Sequence, residues 1–128
     1  MSKPKHIVWM SQHVPTQRQL DELEHLFPHY TLCVDARSFD SADTIVARFR
    51  HEGGDEMVVV APLAVVREIV RRGVHPIWAE MRAIPCTSKE VEVRIKRRCY
   101  RFVRFHRVKG LHFDLEPIDA QPVVQKEE

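Results

Sequence analysis

Between His6 and Glu80 a short apolar run is followed three times by a capped amphipathic stripe, and the segment ends on a fourth apolar run. That alternation restricts the fold more than any other feature of the chain. His6 to Met10 reads as a strand covered on both faces. Thr16 with Gln19 then fits a capping box. Leu20, Leu23, Leu26 and Phe27 recur at helical spacing over Gln17 to Phe27, with Asp21, Glu22 and Glu24 toward water, and Pro28 stops the helix. Tyr30 to Asp35 is β-rich and ends in a polar residue. Asp40 or Ser41 can cap a second helix carrying Ala42, Ile45, Val46 and Phe49 on one face, closed by Gly53-Gly54. Met57 to Ala61 is the clearest buried strand. Pro62 then suits a first helical turn, before a stripe of Leu63, Val66, Ile69 and Val70. Arg67, Arg71 and Arg72 lie opposite that stripe, and Gly73 ends it. His75 to Glu80 makes a fourth strand that runs into Met81-Arg82.

Repeated strand–helix–strand units imply right-handed crossovers and a parallel sheet. The expected architecture is α/β in three layers: a parallel four-stranded core over residues 5–84, strand order 2-1-3-4, with helices on both faces. From Lys89 to Ile118 no helical stripe is present. Val91 to Ile95 alternates, Tyr100 to Val108 is aromatic and β-rich, and Leu111 to Leu115 alternates again, with Lys109-Gly110 as a turn. This predicts a basic antiparallel hairpin or meander over 89–118 added to the sheet. Residues 1–120 are read as one domain and 121–128 as a flexible tail.

Composition sets outer limits. With 128 residues, 44% hydrophobic and 30% charged, the chain can bury a core without covalent staples. No apolar run approaches the roughly 20 residues that span a bilayer, and Met1 to Lys5 passes into a strand without a signal-peptide core. Cys33, Cys86 and Cys99 are odd in number and unpatterned. They point to a reducing cytoplasm, with the thiols acting as small buried hydrophobes, rather than to a disulfide frame or a zinc site.

For chemistry, the informative place is where the first strand ends. In order 2-1-3-4 the sheet reverses between strands one and three. Ser11 to Thr16 and Ala61-Pro62-Leu63 would line the crevice there. Both loops open helices, whose free N–H groups favour an anion. Ser11, Gln12, His13 and Thr16 add donors, Arg18 adds charge in the first helical turn, and Arg82 can reach the same side as a bidentate phosphate ligand. That set suits a phosphodiester or nucleotide. The plainer alternative is that Thr16 is simply a cap, His13 a surface loop residue and Arg82 a partner of Glu80. No Gly-x-Gly-x-x-Gly or Walker-type Gly-Lys-Ser/Thr occurs, which argues against nicotinamide dehydrogenases and P-loop hydrolases. The eight histidines are scattered. Phe113-Asp114-Leu115-Glu116 offers two carboxylates on one strand face, which specify no metal, so neither metal nor cofactor is expected.

A second signal is basic. Arg94, Lys96, Arg97, Arg98, Arg101, Arg104, Arg107 and Lys109 are interleaved with Tyr100, Phe102 and Phe105. Three readings stand side by side. The stripe can track a phosphate backbone with aromatics stacking on bases. It can be the solvated face of a hairpin whose aromatics pack inward, or it can be an oligomer contact, with Arg97, Arg98, Arg101 and Arg104 as the nucleic-acid or oligomer contacts.

Two segments together carry a family likeness. Met10-Ser11-Gln12-His13-Val14-Pro15-Thr16-x-x-Gln19-x-x-Glu22 resembles the Ser-His-x-Leu-Thr-x-x-Gln opening of small stand-alone CRISPR-associated proteins related to CARF domains, with Gln12 inserted before the histidine and Pro15 before the threonine. Asp55 to Arg82, closing on Pro76-Ile77-Trp78-Ala79-Glu80-Met81-Arg82, resembles their later strand–helix–strand. The resemblance implies a Rossmann-like, cytoplasmic homodimer or higher assembly of type III CRISPR antiviral defence. It also implies a ring nuclease that cleaves cyclic oligoadenylate, cyclic tetra-adenylate first, without metal. In that chemistry a ribose 2′-hydroxyl attacks its own phosphorus, leaving a 2′,3′-cyclic phosphate. Ser11 and His13 become the catalytic pair, His13 moving the proton. Gln12, Thr16, Arg18, Pro62 and Arg82 become the substrate contacts. The alternative is a module that binds cyclic nucleotide or nucleic acid without cleaving it.

Overall fold

Side-chain alternation along β1 (Lys5–Met10) decides the layers. Ile7 and Trp9 face one side, Val8 and Met10 the other, and all four are buried. The computed structural model describes residues 3–112 and 114–118. On the first face Leu23 of α1 (Gln17–Leu26) packs with Ile7, Trp9, Val58 and Ile77. On the second, α2 (Ala42–His51) and α3 (Leu63–Arg71) cover Val8, Met10, Met57 and Val59 with Ile45, Val46, Phe49, Val66 and Ile69. The strands between them are β2 (Tyr30–Asp35), β3 (Glu56–Val59), β4 (Ile77–Ile84), β5 (Val93–Ile95) and β6 (Arg98–Arg107).

They form one sheet in the order β2-β1-β3-β4-β6-β5. The six-stranded sheet as a whole is mixed, not parallel throughout. β2, β1, β3 and β4 run parallel, and β6 and β5 continue the same sheet antiparallel. Met10 is level with Asp35 and Val59, so three carboxyl ends meet. Val59 is in turn level with Trp78, yet β4 runs on to Ile84. At about 3.3 Å per residue that extension is roughly 20 Å. It is supported by β6 alone, which pairs along its whole length. This overhang carries the β5–β6 hairpin past the end of β1.

Local signals explain the boundaries. Thr16 Oγ1 accepts from Gln19 N at 3.2 Å, and Gln19 Oε1 accepts from Thr16 N at 2.8 Å, completing the expected capping box. Ser41 rather than Asp40 caps α2, its Oγ accepting from Thr44 N. All four of the expected α2 stripe residues are buried. In α1 the stripe is corrected at its end: Leu26 is exposed, and Gln19 is the buried neighbour of Leu23, donating Nε2 toward Met81 Sδ. Gly54 has no room for a side chain, since a Cβ there would lie 2.5 Å from the Phe49 ring and 2.8 Å from Val8.

Three further expectations are overturned. Cys86 and Cys99 are joined in a disulfide, which the unpatterned spacing concealed; Cys33 is the free thiol. The bridge is possible because Ile84 pairs with Cys99, so the chain just beyond β4 lies against the start of β6 at a Cα separation of 5.2 Å. The hairpin turns at Lys96-Arg97, with Lys96 at φ 57°, and not at Lys109-Gly110. Finally, Leu111 to Leu115 forms no strand at its described residues. β6 is paired by β4 along its length and by β5 only at Arg98 to Tyr100, and the chain after Arg107 does not turn back along the rest of that edge. Val108 instead bonds Pro76 O, and Val108 and Leu111 pack on the α2–α3 core. Phe113 and residues 121–128, read from sequence as strand and tail, lie outside the described residues. Among the described residues no helix is long and apolar enough to cross a membrane.

Candidate functional site

The corner after β1 is held from within. Trp9, fully buried beneath it, donates Nε1 to His13 O at 3.0 Å, with its ring edge-on to the imidazole at 6.2 Å. That bond folds Ser11-Gln12-His13 back over the end of the strand. Ser11 is buried, and its Oγ lies 2.9 Å from His13 Nδ1 and 3.4 Å from the His13 backbone N–H. The other ring nitrogen, Nε2, is buried and has no partner. Burial lowers the His13 pKa below 6.5, so the ring is neutral near pH 7. The corner therefore offers a neutral imidazole. Nδ1 is steadied by a hydroxyl, and Nε2 is free to take or give a proton.

Two clefts meet at this residue. One, of about 340 Å³, is lined by Ser11, Gln12 and His13 with Phe39, Val60 and Ile95. It lies at the carboxyl ends of β1 and β3, with Ile95 of β5 in its lining. The other, of about 530 Å³, runs from His13 past Thr16 and Arg18 to Glu92 and Arg94. The floor of both is the β1 corner, and the far wall is the β5 arm.

Glu92 joins the two walls. Its carboxylate accepts from Thr16 Oγ1 at 3.1 Å, Arg18 Nη1 at 2.7 Å and the Phe102 N–H at 3.0 Å. Arg18 also donates to Phe102 O at 2.8 Å and lies over the Phe102 ring. No local pattern marks Glu92, which reaches Thr16 across 76 positions of sequence. Ile95 and Phe39 were missed for the same reason, and Arg94, read from sequence as part of the basic stripe, was not placed beside the corner. Asp35, at the end of β2, is bidentate to Arg37 Nε and Nη2. That bonding holds its carboxyl below the usual range against the opposing effect of burial. It is a charged anchor for the β2 loop and not a proton donor near neutrality.

The residues singled out from sequence are thus partly gathered. Ser11, Gln12 and His13 share a cleft, and His13, Thr16 and Arg18 share its neighbour. Thr16 is the α1 cap as well, and Arg18 is already paired with Glu92. Pro62 stands exposed at the start of α3, a helix with no side-chain cap, and lines neither cleft. Arg82 also lines neither. It lies on the overhang of β4, opposite Arg101 and in the field of Glu80. Hydrogen bonding to His106, with Arg104 and Arg82 nearby, keeps Glu80 below the usual carboxylate range.

The basic stripe resolves in favour of inward-facing aromatics. Val103 is an extra residue in β6, because Glu80 pairs with Arg104 while Met81 pairs with Phe102. The bulge lets Phe102 and Phe105 pack 4.7 Å apart on the α1 face, where Phe105 also meets Trp9. Phe102 is buried and offers no base a stacking platform. Arg101 neighbours Glu90, Arg104 neighbours Glu80, and Arg107 pairs with Glu56. Arg94, Lys96, Arg97 and Arg98 are exposed and form no ion pair among the described residues. Among the described residues no group of three His, Cys, Asp or Glu side chains could hold a metal.

Comparison with known proteins returns no match to the chain from any family model, any curated protein or any solved structure.

Proposed function

We propose that this chain is a metal-independent ring nuclease of type III CRISPR defence that cleaves cyclic oligoadenylate, with cyclic tetra-adenylate as the first ring to test. The observation that carries the proposal is the buried, unpartnered Nε2 of His13, set beside Ser11 at the carboxyl end of β1. An unsatisfied buried nitrogen costs roughly 1–3 kcal/mol unless a ligand or water meets it. A neutral imidazole at that position can accept the proton of an attacking ribose 2′-hydroxyl or return one to the departing 5′-oxygen. The products are linear, with a 2′,3′-cyclic phosphate and a 5′-hydroxyl. The protein's part is to hold the phosphorus in line and surround its charge with donors: Gln12 in one cleft beside His13 and Arg94 in the other.

A Rossmann-like description of the α/β sheet and a homodimer that pairs two corners around a two-fold ring belong to the same proposal. So does a cytoplasmic location, against which the Cys86–Cys99 disulfide weighs. Incubation of the purified protein with cyclic tetra- and hexa-adenylate in EDTA, followed by chromatography, tests it. Linear products that disappear in His13→Ala support the reading. No turnover of either ring refutes it. The four exposed cations at the hairpin tip favour a second reading, a module that binds nucleotide polyanions without cleaving them. Saturable binding of the ring without products would select that reading.

A further inference from the structure

The β5–β6 hairpin carries two things to which the cleavage chemistry gives no role: a covalent bridge and, beyond Arg94, the exposed cations Lys96, Arg97 and Arg98. Between them, Arg94 and Ile95 form the far wall of the corner. We infer that the segment from Pro85 to Arg98 is a disulfide-tethered arm that closes the corner and grips a polyanionic phosphodiester through Arg94, Arg97 and Arg98, so that ligand affinity depends on the redox state of Cys86–Cys99. The inference rests on the corner being a ligand site and not on cleavage.

Secondary structure alone holds this arm weakly. β5 is three residues long, is an edge strand and pairs with β6 only. A short two-stranded ribbon is marginal by itself. Lys96 at the turn adopts φ 57°, a region that a lysine enters at some cost. Two attachments compensate. Glu92 ties the start of β5 to Thr16, Arg18 and Phe102. Cys86, which is exposed, is bonded to Cys99, which is buried in the sheet. Between the two attachments Ile95 lines the Ser11–His13 cleft, and Arg94 lines its neighbour. Cations spaced along a hairpin tip suit a chain of phosphates better than a single one, because successive charges can each meet a guanidinium.

The switching step needs an external dithiol as reductant. Its thiolate attacks the exposed Cys86 Sγ and breaks the Sγ–Sγ bond, and Cys99 leaves as a thiolate that takes up a proton. The second thiol of the reductant then displaces Cys86 as a thiol, and the reductant departs as a cyclic disulfide. Two electrons and two protons have moved to the protein. The arm is then held by Glu92 and by its short ladder to β6, without a covalent tether at its base.

The test is fluorescence anisotropy of a labelled linear oligoriboadenylate tetramer with the full chain at one fixed salt concentration. The oxidised protein is compared with protein reduced by dithiothreitol. The expected result is an affinity at least about tenfold lower after reduction. Cys86→Ser under oxidising conditions should bind as weakly as the reduced wild type, and Cys33→Ser should bind like the oxidised wild type. Arg94→Ala/Arg97→Ala/Arg98→Ala should be weak in both redox states. Trypsin cleavage at Lys96 and Arg97 of the folded protein should accelerate on reduction, which reads the arm even if a variant folds poorly. Equal affinity of oxidised and reduced protein, or wild-type binding by the triple variant, would overturn the inference. Redox-dependent binding without any ring turnover upholds the arm and refutes the nuclease. Turnover indifferent to redox state does the reverse.

Discussion

Glu92 is where loss of one side chain should tell most. Its carboxylate is 14% exposed and receives three donors from two elements far apart in sequence. In Glu92→Ala the partly buried Phe102 N–H loses its acceptor, at about 1–3 kcal/mol. The Thr16 hydroxyl loses its acceptor but still caps α1, so about 0.5–1 kcal/mol is lost there. Arg18 is 54% exposed, and after solvent screening its ion pair contributes about 0.5 kcal/mol or less. The sum is about 3 kcal/mol. Unfolding entropy for a chain of this length is about 0.27 kcal/mol per kelvin, so the variant should melt about 10 °C below wild type. Glu92→Gln keeps an oxygen for Phe102 and sheds only the charge, and should lose about 1 kcal/mol, or about 4 °C. Thermal melts followed by circular dichroism read both. If Glu92→Ala melts within about 3 °C of wild type, or if Gln is as damaging as Ala, the carboxylate does not hold the arm to α1 in the way described.

Other expectations follow from equally local geometry. Gly54→Ala should destabilise by about 1–3 kcal/mol in urea denaturation, because the Phe49 ring and Val8 leave its Cβ no space, whereas Gly53→Ala meets open space and suffers mainly from its φ of 67°. Leu23→Ala, at a fully buried position under the sheet, should cost about 2–5 kcal/mol by the same measurement. His13 has a pKa lowered by burial, so below about pH 6.5 the unfolded chain takes up a proton that the folded chain resists. Stability contributed by the neutral ring is present above that pH and is lost as pH falls toward the folded-state value. Urea denaturation at about pH 7.5 and about pH 5.5 should show wild type losing more stability than His13→Gln, and equal losses would place the ring in solvent.

What the sequence disclosed, and what it hid, follows the range of the forces involved. The capping box of Thr16 and Gln19, the four-residue stripe of α2 and the stop at Gly53-Gly54 act within one helical turn, and each was readable from spacing alone. Strand order was readable one step further out, because short crossovers leave few ways to bury apolar runs on both faces. Past Ile84 the determinants become long-range. A one-residue bulge at Val103 decides which aromatics face α1. Packing of Val108 and Leu111 on the α2–α3 core draws the chain away from the sheet where alternation predicted a strand at Leu111 to Leu115. A disulfide joins two cysteines whose spacing of 13 carries no motif.

The candidate site divides along the same line. Ser11, Gln12 and His13 are consecutive, and a polar corner after an apolar strand marks them. The wall that completes the cleft comes from Glu92, Arg94 and Ile95, residues that in sequence are merely an alternating edge strand. Arg82 shows the converse. It carries the right chemistry, but because the antiparallel partner β6 prolongs β4 beyond Trp78, Arg82 sits on the overhang opposite Arg101 and lines neither cleft. The feature that removes Arg82 from the site is therefore the one that supplies its replacement. An overhanging β4 must be paired, its partner must turn back, and the turn brings a basic hairpin over the open end of β1. Length of β4, and not the identity of any loop residue, decides which cations face His13. Shortening the overhang by deleting matched residues of β4 and β6 should uncover His13 even with every corner residue intact.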